Sequence, residues 1–97
     1  MEADFCMIAH GDGMINARIC DGDTVYFKSQ DHVENGEIAA VVVGGEVLLK
    51  RAYFYPEKEQ LVLRSEDPKC EPLVFTGAER NGVSIIGKAV AFEGRIF

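Results

Sequence analysis

Among the side chains able to do chemistry, few make a site by spacing alone. Lys50 stands in the apolar run Leu48-Leu49-Lys50-Arg51-Ala52-Tyr53-Phe54. On a strand, neighbours alternate between faces, so Lys50 projects with Leu48, Ala52 and Phe54 while Arg51 projects with Leu49 and Tyr53. A lysine among such neighbours is poorly solvated, and desolvation favours the neutral amine. Taken without context, the ordinary reading is a strand lysine whose stem packs on apolar surface while its head reaches water. His10 and His32 lie too far apart, and too poorly partnered, for a metal site, so none is expected. Asp12, Asp21 and Asp23 superficially suggest a calcium loop, but their register with glycine and a distal glutamate misses that pattern. Turn formation and solvation account for them better. Cys6, Cys20 and Cys70 are odd in number and widely spaced, which fits neither a disulfide framework nor a paired zinc motif. They are expected to be reduced cysteines in the core.

The elements that must position these residues read as β. A chain of 97 residues suits one domain. Short runs rich in Val, Ile, Phe and Tyr alternate with Gly, Asn and Pro signals, so strands should dominate and helices be scarce. Strands are predicted at Asp4 to Ala9, Thr24 to Lys28, Glu37 to Val43, Glu46 to Tyr55, Gln60 to Arg64, Leu73 to Thr76 and Val83 to Phe92. Gly11 and Gly13 punctuate a turn, Met14 to Cys20 reads as helical or irregular, and Asp21-Gly22-Asp23 offers a further turn. The near-continuous apolar run ending at Val43 predicts a strand covered on both faces. Gly44-Gly45 between two apolar runs predicts a β-hairpin. Pro56 ends the second arm, Asp67-Pro68 is a break, and Asn81-Gly82 is expected to be a simple turn. The tail Ile96-Phe97 reads either as frayed strand or as part of an isologous dimer contact.

Net charge narrows the function. At −6 the chain repels a phosphate backbone, so this piece is not expected to grip DNA itself. No apolar run approaches the ~20 residues that span a bilayer, and nothing reads as a signal peptide. The chain is expected to be soluble, cytoplasmic and away from membranes.

Three stretches carry a family resemblance. The first is Gly11-Asp12-Gly13-Met14 followed by Ile19-Cys20-Asp21-Gly22-Asp23-Thr24-Val25. The second is Val33-Glu34-Asn35-Gly36-Glu37-Ile38 running on to Leu48-Leu49-Lys50-Arg51. The third is Leu63-Arg64-Ser65-Glu66-Asp67 through Pro72-Leu73, ending in Ile86-Gly87-Lys88-Ala89-Val90. In order and spacing they resemble, over nearly the whole chain, the C-terminal self-cleavage and dimerisation domain of LexA-type and phage-type transcriptional repressors. The resemblance implies a mainly β, LexA-like peptidase fold of short, strongly bent antiparallel strands and hairpins with little helix.

It also implies a Ser/Lys dyad. Serine attacks a peptide carbonyl of the same polypeptide and lysine, here Lys50, takes the serine's proton as general base. An ammonium cannot accept that proton, so burial must bring the lysine from its ordinary ~10.4 toward roughly 7–8. At the family's serine position, directly before Met14, this chain carries Gly13, which has no oxygen to attack with. Backbone N–H groups near Gly13 and Met14 would still line an oxyanion pocket. Whether the glycine replaces a serine by design or by natural loss stays open, as does a tight turn needing permissive backbone. Ser29, Ser65 and Ser84 fall outside the motif and are not expected to substitute as nucleophile. Ser65 for the family's proline and Asp67 for its asparagine are departures expected not to touch the chemistry.

The resemblance further implies SOS-response or phage repressor biology: a homodimer, an upstream Ala-Gly-type cleavage segment as its own substrate, DNA contact through an N-terminal helix-turn-helix domain, and a recombinase-type co-protease. This chain contains neither the cleavage dipeptide nor the DNA-binding part, and no cofactor is expected. The alternatives are a naturally non-catalytic dimerisation module and, less favoured, a signal-peptidase relative.

Overall fold

The computed structural model describes residues 2–11, 18–67 and 69–94. They form one antiparallel sheet of seven strands: β1 (Phe5–Ile8), β2 (Thr24–Ser29), β3 (Ile38–Val43), β4 (Glu46–Tyr55), β5 (Gln60–Arg64), β6 (Leu73–Thr76) and β7 (Val83–Glu93), in the spatial order β1-β2-β7-β3-β4-β5-β6. Short 3-10 turns at Pro56–Lys58 and Gly77–Gly82 connect β4 to β5 and β6 to β7. The mainly β, LexA-like expectation holds, and every predicted strand is present.

Each element has a local cause. Gly44 and Gly45 both carry positive φ, +57° and +84°, the geometry a two-residue hairpin demands and side chains resist. They close β3 onto β4 with Val43 opposite Glu46 and Ala39 opposite Lys50. Asn81-Gly82, expected to be a simple turn, is instead the end of a 3-10 helix. Thr76 and Glu79 start that helix with a reciprocal capping box, a side-chain bonding pattern that outweighs the local Asn-Gly signal.

Two bulges on β7 bend the sheet. Its pairing with β2 skips Val90, and its pairing with β3 skips Ile86. An extra residue on one strand raises the local twist and curls the sheet. The central strand β3 is thereby covered on both faces, as its apolar run predicted. Ala40 packs with Ala9, Ile19, Val25 and Phe27, while its neighbour Ala39 packs with Val41, Ala52, Leu61 and Leu63. At Gly87 the backbone approaches β1 so closely that an added Cβ would stand 2.6 Å from the ring of Phe5. That ring in turn stacks on Phe27, centroids 5.0 Å apart.

The cysteines correct an expectation. All three are free, but Cys6, Cys20 and Cys70 are exposed rather than in the core. Cys6 sits on the outer face of β1, whose alternate residues Phe5 and Met7 turn inward. Cys20 and Cys70 lie in connecting segments.

Candidate active site

Lys50 is placed by strand pairing, opposite Ala39 of β3 and one residue beyond the end of the β4–β5 ladder. Along β4, Leu49 packs toward the cluster around Val25 and Phe27, while Ala52 belongs to the cluster around Val41 and Leu63. This is the alternation expected of the run, with Lys50 in register with Ala52. The far end of the strand departs from the expected burial, because Phe54 is exposed. Asn35 and Gly36 brace the strand from outside. The Asn35 side chain accepts from the Phe54 N–H at 2.7 Å and donates to the Phe54 carbonyl at 3.2 Å, in the manner of a strand partner. The Gly36 N–H donates to the Ala52 carbonyl at 3.0 Å.

The glycine turn is positioned differently, by two aspartates. The Gly11 N–H donates to Asp21 Oδ1 at 2.7 Å, and the Cys20 N–H donates to Asp23 Oδ2 at 2.8 Å. Backbone bonds from Ala9 N–H to the Asp23 carbonyl and from Gly22 N–H to the Ala9 carbonyl, each 2.8 Å, close the base of the loop. Asp23 is buried, 7% exposed, so the solvation expected of it is corrected to a capping role inside the fold. Gly13, Met14 and Asp12 lie outside the described residues, as does most of the stretch expected to be helical or irregular.

Lys50 and this loop meet. Half-buried Lys50 lines a cleft of about 190 Å³ together with Ala9, His10, Gly11 and Ile19. The walls are largely apolar, from Met7, Ile8, Leu48 and Leu49. The cleft thus joins the β3–β4 hairpin to the residue two positions before Gly13.

One contact was not anticipated. The Lys50 Nζ donates to Ser65 Oγ at 2.6 Å, so the Ser65 departure does touch the amine. The β4–β5 ladder explains it. Arg51 is opposite Arg64 and Ala52 opposite Leu63, so one step further the register sets Lys50 opposite Ser65. Continuing the pairing back from the Pro56 turn would have found it in the sequence. Ser29 and Ser84, by contrast, stand on β2 and β7, paired with Gly87 and Val42.

Other charges are paired elsewhere. Arg51 bonds Glu66, and Lys88 bonds Glu37 at 2.6 Å. The hydrogen bond from Lys88 holds the Glu37 carboxyl below its ordinary range, and the same bond raises Lys88. Asp31, bonded to His32 at 2.9 Å, is lowered by that imidazole, and Tyr26 is raised by its bond to Glu93 at 3.0 Å. Glu37, Arg51 and Lys88, with Ile38 and Phe92, line a larger hollow of about 560 Å³. No group of three or more metal-ligating side chains occurs among the described residues.

The fold and the order of the motifs along it define a mainly β domain of the LexA C-terminal type. Residues 1–90 match the family model described as Peptidase S24-like, and the chain belongs to that family. It is 38% identical to the LexA repressor of Citrifermentans bemidjiense over 86 residues, 89% of this chain and 41% of that protein. It is 40% identical over 86 residues to LexA repressor 1 of Geobacter sulfurreducens, again 89% and 41% of the two chains. With the LexA repressor of Thermotoga neapolitana it shares 41% identity over 92 residues, 95% of this chain and 44% of that one. The chain therefore spans about two-fifths of the length of these relatives. Among the described residues no helix is long and apolar enough to cross a membrane.

Proposed function

We propose that residues 1–97 form one unit, the dimerising regulatory domain of a transcriptional repressor, built around a Ser/Lys self-cleavage site whose nucleophile position is occupied by Gly13. In this reading Lys50 is the general base, and the backbone at Gly13 and Met14 forms the oxyanion pocket. A peptide segment carrying an Ala-Gly-type bond, upstream in the same polypeptide, is the substrate. With glycine at position 13 no acyl bond can form, and the site holds a peptide without cutting it. DNA contact belongs to a separate helix-turn-helix domain, and a recombinase-type partner stimulates cleavage by favouring the docked segment. The observation that supports this most is the shared cleft of Lys50 and Gly11.

The test is restoration. A Gly13→Ser protein carrying an Ala-Gly segment ahead of β1 is expected to cleave itself at alkaline pH, where more of the lysine is neutral. The same protein with Lys50→Ala is expected to stay intact. A restored protein that remains whole across the alkaline range removes the peptidase reading. The glycine itself favours a second reading, a dimerisation module with a vestigial pocket. That reading gains if the source gene encodes glycine at position 13, and a dimer seen by sedimentation fits either.

A further inference from the structure

At the position of Ser65 the family resemblance implies a proline, which would offer the Lys50 amine no hydroxyl. A lysine amine on a four-carbon stem is free to sweep many rotamers, and a proton acceptor works only if it is held where the proton will be. Three observations make Ser65 the holder. Its Oγ lies 2.6 Å from Nζ. The ladder register, continued one residue beyond Arg51 and Arg64, sets the two residues opposite each other, and it is anchored by the buried pair Ala52 and Leu63 two steps inward. The next residue, Glu66, bonds Arg51, so Ser65-Glu66 grips Lys50-Arg51 with one contact from each side chain of the pair. Among the described residues the lining of the Lys50 cleft comes from β1, the Gly11 turn, Ile19 and β4, and does not include Ser65. A hydroxyl that reaches the amine from outside the cleft is placed to steer the lysine rather than to meet a substrate.

We propose that Ser65 is the positioning residue for the Lys50 amine. A hydroxyl suits the task because it accepts from an ammonium and donates to a neutral amine, so the contact persists through a proton transfer. This rests on the reading of Lys50 as general base, and the experiment separates the two. In the 97-residue chain, ¹H–¹⁵N spectra of the lysine side chains are compared for Ser65, Ser65→Ala and Ser65→Thr. The Lys50 ammonium is expected to give a signal protected from solvent exchange, lost in Ser65→Ala and regained in Ser65→Thr. A signal equally protected in Ser65→Ala overturns the proposal, whatever the chain's peptidase competence. In the Gly13→Ser protein with its cleavage segment, adding Ser65→Ala is expected to lower the self-cleavage rate about tenfold, and Ser65→Thr to restore it. If Gly13→Ser cleaves and Ser65→Ala leaves its rate and pH profile unchanged, Ser65 does not position the base. If Gly13→Ser does not cleave while the spectra change as expected, the peptidase reading fails and the contact stands. A fluorophosphonate adduct mapped to Ser65 would make it a nucleophile and also overturn the proposal.

Discussion

The two halves of the candidate site are built by different means. Lys50 sits on β4 opposite Ala39 of β3, one residue beyond the end of the β4–β5 ladder, where its amine bonds Ser65. The turn that leads to Gly13 leaves the sheet at Ala9 and returns at Asp23, held at its base by two backbone bonds and two aspartate caps. A general base gains from a rigid strand because misplacement costs rate steeply. The loop's described bonds lie at its base, at Ala9, Gly11 and Cys20 to Asp23. The contrast predicts that damage to the ladder unfolds the domain, whereas damage to the caps loosens one loop.

Leu63→Ala strikes the ladder hardest. Leu63 is 1% exposed and packs beside Ala52, so the cavity left behind is expected to cost about 2–5 kcal/mol in urea unfolding. A loss well below that range would mean the lysine arm is not the rigid half. Gly87→Ala tests the seam between the halves. Its Cβ would meet the Phe5 ring at 2.6 Å and the Lys28 carbonyl at 3.1 Å, and overpacking of that kind is expected to cost about 1–3 kcal/mol. Fluorescence or heat-capacity melts would read it, with β1 amides the first to exchange.

Asp23→Ala strips the acceptor from the Cys20 N–H, which is part-buried, at a cost of about 1–2 kcal/mol. Hydrogen exchange should quicken at Gly11, Cys20 and Gly22 and stay slow at Ala52 and Leu63. Uniform quickening would erase the distinction between loop and ladder. The smallest effect belongs to the Glu37–Lys88 pair on the lysine side. Glu37 is lowered and Lys88 raised, so the pair stabilises the fold between the ordinary carboxylate value near ~4.3 and the ordinary lysine value near ~10.4. That contribution fades as pH falls through the lowered Glu37 value or rises through the raised Lys88 value. Lys88→Met should therefore melt slightly lower than the parent at pH 7, with the gap closing at both extremes.

The ladder was the more legible half. Glycine pairs and apolar alternation are local signals, and Gly44-Gly45 with its flanking runs gave the hairpin, its boundaries and the face shared by Lys50 and Ala52. By motif alone Ser65 is a neutral departure, because its partner is set by register across the Pro56–Glu59 turn. Residue type alone puts the cysteines in the core, but burial in an edge strand or connector depends on which face or segment the fold turns outward. Asp23 reads locally as a solvated turn residue. Its burial follows from the return of the loop onto Ala9, a contact that no local pattern carries. The 3-10 helix at Gly77–Gly82 depends on the Thr76–Glu79 capping box, a spacing that the Asn-Gly signal eclipsed.

Position 13 and the Lys50 side chain are expected to share one cleft. Nuclear Overhauser contacts in the isotope-labelled 97-residue chain measure it without any substitution. Cross-peaks between the Gly13 Hα protons and the Lys50 side-chain methylenes are the expected result. If Lys50 shows cross-peaks to Ser65 and none to Gly13 or Met14, while Gly13 itself is assigned and its other contacts are seen, the two are not neighbours and the account is contradicted.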